Sequence, residues 1–212
     1  MQYVRERTRI LAAVSHDLKT PITRLRLRTE LLTDTEVQSK FAKDLEEMEA
    51  MVAATLDLTR ELNNLEPLQN IDLMALLESL QADAEELGHT VTIAPATLRP
   101  VRAYPQSLKR CLANLLDNAV KYGKEARVVV EEAGDQLRVS VADDGPGIPE
   151  SELDKVCEPF YRVEASRNRS TGGAGLGLSI ARSSVRAHGG DLLLRNRPEG
   201  GFEAVVVLPR VL

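Results

Sequence analysis

Gly172-Gly173-Ala174-Gly175-Leu176-Gly177-Leu178 stands directly before a helix-forming run, and Asp143-Asp144-Gly145-Pro146-Gly147-Ile148-Pro149 directly after a strand-forming one. Glycine-rich backbone at a helix start offers unpaired N–H groups and a favourable dipole to phosphates. A carboxylate at a strand end can accept a hydrogen bond from an exocyclic amine. Either stretch alone is also compatible with turn chemistry. The first is neither a dinucleotide fingerprint nor a Walker loop. No strand leads into it at the required spacing, and no Gly-Lys-Ser/Thr follows.

Working outward, the same half alternates strands with helices. Asp72 reads as the N-cap of a helix over Leu73–Leu87 that Gly88 stops. Val91–Ala94 reads as a strand, and Pro105–Tyr122 as a helix with Pro at its start and Gly123 past its end. Val128–Glu132 and Leu137–Ala142 alternate around Ala133-Gly134-Asp135, a hairpin signal. Leu176–His188 reads as a helix closed by Gly189-Gly190. Asp191–Arg195 and Phe202–Leu208 make a second hairpin around Arg197-Pro198-Glu199-Gly200-Gly201. Antiparallel hairpins with intervening helices predict an α/β sandwich, sheet on one side and helices on the other.

The first third has a different texture. Val4, Leu11, Leu18, Leu25 and Leu32 are each seven apart, and Ile10, Val14, Ile22 and Leu31 broaden the stripe. Such spacing puts apolar side chains on one side of a helix and suits packing against other helices. Pro21 removes a backbone hydrogen bond and is expected to kink it. Thr33–Ser39 reads as a polar connection, followed by a second stripe at Phe41, Leu45, Met48, Val52, Thr55, Thr59 and Leu62. The two make an antiparallel helical hairpin. Residues 1–32 carry a net charge of +4 and residues 33–66 one of −6, so the faces are complementary. Two helices cannot enclose so apolar a seam, and a second copy would complete a four-helix bundle. The class is thus α+β, with a helical domain over 1–65 and the sandwich over 66–212, in a homodimer.

Composition excludes other classes. Ser170–Ala181, as long as any stretch free of Asp, Glu, Lys and Arg, is too short and glycine-rich to span a bilayer, which takes about 20 apolar residues. Arg5, Glu6, Arg7 and Arg9 interrupt any signal-peptide pattern. Cys111 and Cys157 are the only cysteines, too few for a disulfide framework or a cysteine zinc site, and fit a soluble protein of a reducing compartment. A net charge of −5 argues against general nucleic-acid binding, and 3 % aromatics against a base-stacking platform.

Among the three histidines, His188 ends a helix, where capping by a cation explains it, and His89 follows the Gly88 stop. His16 differs. At about 100° per residue it lies about 140° around the helix from Leu11 and about 160° from Leu18, away from the seam. Asp17 adjoins it, and Thr20 lies one turn on along the same face. Asn114 and Asn118 are also one turn apart, with Lys121 and Tyr122 a turn further. Buried Asn pairs can be structural, yet an amide oxygen is also a hard ligand for Mg²⁺.

Together these stretches resemble the sensor histidine kinases of bacterial two-component systems. Ser15-His16-Asp17-Leu18-Lys19-Thr20-Pro21 is similar to that family's phospho-acceptor box, in an EnvZ-like wording. Asn114-Leu115-Leu116-Asp117-Asn118-Ala119-Val120-Lys121-Tyr122 resembles its N box, and Asp143–Pro149 its first glycine box. Glu158-Pro159-Phe160-Tyr161-Arg162 resembles its phenylalanine box, and Gly173-Ala174-Gly175-Leu176-Gly177-Leu178 its second glycine box. The five motifs come in family order and cover nearly the whole chain. The resemblance implies a dimerisation and phosphotransfer hairpin followed by an ATP-binding domain of the Bergerat type.

It implies roles residue by residue. His16 is the nucleophile toward the γ-phosphate of ATP, and Asp17 fixes its tautomer and acts as general base. Thr20 positions water for dephosphorylating the partner. Asn118 holds Mg²⁺, with Asn114 nearby. Lys121 and Arg162 neutralise phosphate charge, Tyr122 lines the nucleotide site and Asp143 reads the adenine amine. Gly145, Gly147, Gly173, Gly175, Leu176 and Gly177 shape the pocket and a lid over Val163–Gly173. The partner is a response regulator of OmpR type, phosphorylated on aspartate. Ala174 departs from the more usual Ser or Thr, and Asp17 from the more usual Glu.

An ATP-gated clamp of the gyrase kind is the competing reading, and an anti-sigma type serine kinase a third. The His16-Asp17-Thr20-Pro21 helix discriminates against both. With no membrane span of its own, the chain reads as the cytoplasmic portion of an inner-membrane sensor, without direct membrane contact.

Overall fold

The structure, a computed structural model, describes residues 18, 20–42, 44–45, 48, 52, 66–163 and 175–210. His16, Asp17 and Gly173, and with them the upper part of the first heptad stripe and most of the expected lid, lie outside the described residues.

In the amino-terminal part, residues 20–29 and 35–42 are helical and 30–34 form the connection. The connection is shorter than the expected Thr33–Ser39 because Asp34 caps the second helix. Its Oδ1 accepts the N–H groups of Glu36 at 3.0 Å and Val37 at 3.1 Å, so Val37–Ser39 are already helical. Ile22 and Leu45 are buried, whereas Leu18, Leu25, Leu32, Phe41 and Met48 of the two stripes remain exposed on the single chain.

From residue 66 onward the described residues form an α/β sandwich. Its elements are β1 (Gln69–Ile71), α1 (Leu73–Glu86), β2 (Thr90–Ile93), β3 (Val101–Ala103), α2 (Pro105–Gly123), β4 (Glu125–Ala133), β5 (Gln136–Ala142), α3 (Gly177–Ala187), β6 (Asp191–Asn196) and β7 (Phe202–Pro209). Asp72 caps α1 as expected, its Oδ1 accepting the Ala75 N–H at 3.1 Å, and Gly88 leaves the helix at φ +80°. α2 buries Leu108, Cys111, Leu112, Leu115, Leu116, Ala119 and Val120, an i, i+3/i+4 stripe. The alternate residues Val128 and Val130, Val139 and Val141, and Ala204 and Val206 are buried under the helices in one core.

The main sheet has the order β2-β4-β5-β7-β6. The two expected hairpins pair antiparallel, with Val128 opposite Val141 and Leu193 opposite Val205. β2, whose pairing the sequence did not specify, runs parallel to β4, Val91 opposite Ala126. A parallel neighbour needs a long crossover, which β3 and α2 supply. β3 itself pairs with β1 in a separate two-stranded sheet. Three-residue strands are too short to display a period of two, so neither was foreseen.

Two helix ends also differ from expectation. α2 runs through Gly123, and the left-handed cap is Lys124 at φ +70°. His188 stands at the C-cap of α3 as expected, but as a buried ring. Its Nδ1 lies 2.7 Å from the Ser184 carbonyl oxygen, and its Nε2 accepts the Tyr104 N–H at 2.9 Å. A ring that accepts at Nε2 donates from Nδ1, which ties the end of α3 to the start of α2. Glu66 fastens the same helix start: its carboxylate accepts the N–H groups of Gln106 and Ser107, each at 2.9 Å. Two orphan donors of α2 are thereby satisfied from 40 residues away in sequence. Cys111 and Cys157 are both buried and unbridged.

Candidate functional site

The expected residues of the sandwich that are described gather where α2, the end of β5 and the start of α3 meet. Asn114 and Asn118 face α3: a side chain placed at Gly177 would start 3.4 Å from both the Asn114 Oδ1 and the Asn118 amide nitrogen. The Asn114 amide nitrogen donates to the Arg110 carbonyl at 3.0 Å, which orients the side chain and leaves its oxygen as an acceptor. Lys121 Nζ stands 5.6 Å from the centre of the Tyr122 ring, within cation–π range. Leu176 is buried, and its carbonyl accepts the Ile180 N–H and the Ser179 hydroxyl, anchoring the start of α3.

Asp143 directly follows β5 and is almost wholly buried. Its Oδ1 accepts the Gly145 N–H at 2.7 Å, and its own N–H donates to the Phe202 carbonyl. Burial pushes its carboxyl above the ordinary value, with the Gly145 N–H opposing that effect. An ionised Asp143 therefore costs stability in the free protein, which a donor arriving from outside would relieve. Gly123 explains why α2 can lie so close, because a Cβ there would fall 2.4 Å from the Asp143 Cβ. The glycine foreseen as a helix stop is instead a close-approach residue, and Lys124 takes the strained cap.

The neighbouring Asp144 is opposite in character. It is exposed and paired with Arg127 of β4, whose Nη1 reaches Oδ2 at 2.7 Å, and with Arg197 of the β6–β7 turn at 3.0 Å. The Arg127 hydrogen bond, above all, holds its carboxyl down to about 2 from the ordinary 3.8. The sign is that of a depressed carboxylate: its stabilisation is complete above about pH 3.8 and is lost as pH falls through about 2. Acid titration followed by NMR of the carboxyl carbons is expected to place Asp144 lowest of the pair, with Asp143 above it. An Asp144 midpoint near the ordinary 3.8 would contradict the ion pairs.

The second glycine box meets the phenylalanine box. The Phe160 N–H donates to the Gly175 carbonyl at 3.0 Å, and a Cβ on Gly175 would fall 2.7 Å from the Tyr161 carbonyl oxygen and 3.0 Å from the Arg162 side chain. Phe160 is exposed and holds φ +67°, an uncommon backbone state for an aromatic residue. Thr20 is exposed on the helix of the amino-terminal part.

Sequence reasoning missed Gly123 as a contact residue, and it missed Asn196, Arg197 and Gly201. Asn196 closes on the first glycine box from the end of β6, accepting the Ile148 N–H at 2.8 Å and donating to its carbonyl at 2.7 Å. These four sit in segments whose turn-forming composition already explained them, so no local signal set them apart.

Residues 103–212 match the family model described as histidine kinase-, DNA gyrase B-, and HSP90-like ATPase, and residues 6–71 match the His Kinase A (phospho-acceptor) domain. The sensor histidine kinase GtrS of Pseudomonas aeruginosa is 41 % identical over 210 residues, covering 99 % of this chain and 43 % of that protein. The sensor histidine kinase CpxA of Escherichia coli strain K12 is 32 % identical over 214 residues, covering 95 % of this chain and 46 % of that protein. The chain thus spans less than half the length of these curated relatives. The crystal structure of full-length ShkA in complex with AMPPNP matches with a TM-score of 0.68 at 25 % identity, covering 95 % of this chain and 45 % of that one. A nucleotide-free catalytic domain of the histidine kinase ThkA matches with a TM-score of 0.60 at 27 % identity, covering 68 % of this chain and 96 % of that one. Among the described residues, no helix is long and apolar enough to cross a membrane.

Proposed function

Because the chain belongs to the bacterial two-component sensor histidine kinases, with a phospho-acceptor domain followed by an ATP-binding domain, we propose that it phosphorylates itself on His16 and passes the group to a response regulator. The observation that carries the reading is the gathering of Asn114, Asn118, Asp143 and the glycine-led start of α3 at one end of the sandwich. Asp143 accepts the adenine exocyclic amine, and the start of α3 faces the phosphates with N–H groups and a favourable dipole. Lys121 and Arg162 offset phosphate charge, and Tyr122 lines the site.

The donor set suits Mg²⁺, since the Asn114 and Asn118 amides offer hard oxygens beside a phosphate-facing helix start. Asn118 would hold the ion, which when bound draws charge off the phosphates. Asp17 takes the proton from one His16 ring nitrogen and fixes the tautomer. The other nitrogen bonds to the γ-phosphorus, the bond to the bridging oxygen breaks, and ADP leaves. Such transfer depends on positioning and charge neutralisation more than on covalent help.

The phosphoryl group then moves to an aspartate of a response regulator of OmpR type, and Thr20 orients the water that later removes it. The exposed Leu18, Leu25, Leu32, Phe41 and Met48 support pairing of two copies into a four-helix bundle. The domains divide at 65/66, with the chain as the cytoplasmic portion of an inner-membrane sensor. The clamp alternative is not favoured, because a clamp has no use for the phospho-acceptor segment. The test is incubation with γ-labelled ATP and Mg²⁺, then a chase with receiver domains. The expected label is acid-labile and base-stable, absent in His16→Ala and transferable. Thr20→Ala labels normally but clears the regulator slowly. Acid-stable label would sink the reading.

A further inference from the structure

Asp143 can read adenine only if its carboxylate is aimed and ionised, and the Gly145 N–H on its Oδ1 serves both from one side. Its contacts on the far side come from the turn between β6 and β7. Arg197 Nη1 donates to the Asp143 carbonyl oxygen at 3.1 Å and to Asp144 Oδ1 at 3.0 Å, while Nη2 reaches Glu199 Oε1 at 2.6 Å. Only 17 % of the Arg197 side chain is exposed, so the guanidinium is a packed strut rather than a waving surface charge. The turn is itself braced, with the Arg197 N–H on the Gly201 carbonyl and the Gly200 N–H on the Arg197 carbonyl, each at 3.0 Å. Next to it the Asn196 amide clasps both backbone groups of Ile148, in the loop after Asp143.

We infer that Arg197 is a positioning residue for adenine recognition, fixing the backbone of Asp143 and compensating the charge of Asp144 so that the Asp143 carboxylate stays aimed and ionised. The inference rests on the reading of Asp143 as the adenine acceptor. Nη1 makes both contacts while Nε and Nη2 are held on Glu199, a fixed planar arrangement that a lysine cannot reproduce in full. The charges acting on Asp143 are Asp144 beside it, Arg127 on β4 and Arg197 on the turn, with Glu125 and Glu199 paired to those two arginines. Within this group Asp144 pushes the Asp143 carboxyl up and Arg197 pulls it down. Loss of Arg197 therefore raises the pH at which Asp143 takes up a proton, and nucleotide binding fails earlier on acidification.

Calorimetry with ADP on the full 212-residue chain across a pH series tests this, using Arg197→Ala, Arg197→Lys and Asp143→Asn. Asp143→Asn is expected to bind ADP at least about 100-fold more weakly, as for a buried charged acceptor lost. Arg197→Ala is expected to bind about 10-fold more weakly near neutrality, with its acid midpoint moved upward. Arg197→Lys, which keeps the charge and the packing stem, should return the acid midpoint toward that of the unaltered chain while recovering only part of the affinity. If Asp143→Asn fails but Arg197→Ala matches the unaltered chain at every pH, the proposal alone is overturned. A lowered melting temperature in Arg197→Ala with an unmoved acid midpoint overturns it equally, because the residue would then be merely structural. If Asp143→Asn binds normally, the adenine reading fails and the proposal falls with it.

Discussion

Asn118→Ala is expected to leave the chain folded and to lower self-phosphorylation at least about 100-fold, the scale of a misplaced reacting group. Asn118 is half-buried on α2 with its amide turned toward Gly177, and the hydrophobic stripe on the other side of the helix is untouched. The melting temperature should therefore move little, as for substitutions away from the core. The loss should appear in labelling with ATP and Mg²⁺ far more than in ADP binding without the metal. In the proposed arrangement Asn118 serves the phosphate end of the nucleotide, and Asp143 the base. Equal losses in both assays would place Asn118 with the base instead.

Gly201→Ala is the largest stability effect expected in the sandwich. A Cβ at this position would sit 1.9 Å from the Asp143 carbonyl oxygen, a backbone atom that no side-chain rotation can move aside. The residue also holds φ +94°, which L side chains rarely adopt. Strain at a special backbone conformation together with a steric clash is expected to cost about 3 kcal/mol or more. For a domain of this size that corresponds to a fall of about 6–12 °C in melting temperature. Because the clash is with Asp143 itself, ADP affinity should fall with stability. Scanning calorimetry and an ADP titration on the same variant check both. Gly134→Ala is the matched comparison, since it also has positive φ but meets nothing within 4 Å, and it should lose only the backbone part and keep its ADP affinity.

What was readable beforehand follows from how local each signal is. Asp72, Gly88 and Pro105 act within a turn of themselves, and each does in the structure what its chemistry announces. The alternation in β4, β5 and β7 is a period of two imposed by one buried face, so both hairpins emerged from the sequence. Asn114 and Asn118 were legible as a pair because one helical turn separates them. Partnerships across the chain were not legible. Glu66 capping α2, His188 accepting the Tyr104 N–H, and Arg197 bracing Asp143 join residues 40, 84 and 54 positions apart. Their local sequences read as linker, helix end and turn. Gly123 shows the same division, since a glycine after a helix has a ready local explanation. Its actual reason is a carboxylate on another strand.

The central claim is that the nucleotide's terminal group lands on one imidazole, and locating that group on the protein tests it most directly. After brief exposure to ATP and Mg²⁺, the chain can be digested at neutral or mildly basic pH and its phosphopeptides sequenced by mass spectrometry. One added phosphoryl group is expected, on His16, removed by acid. Nucleotide bound and hydrolysed with His16 unmodified, or a phosphoryl group on a serine or threonine, would contradict it.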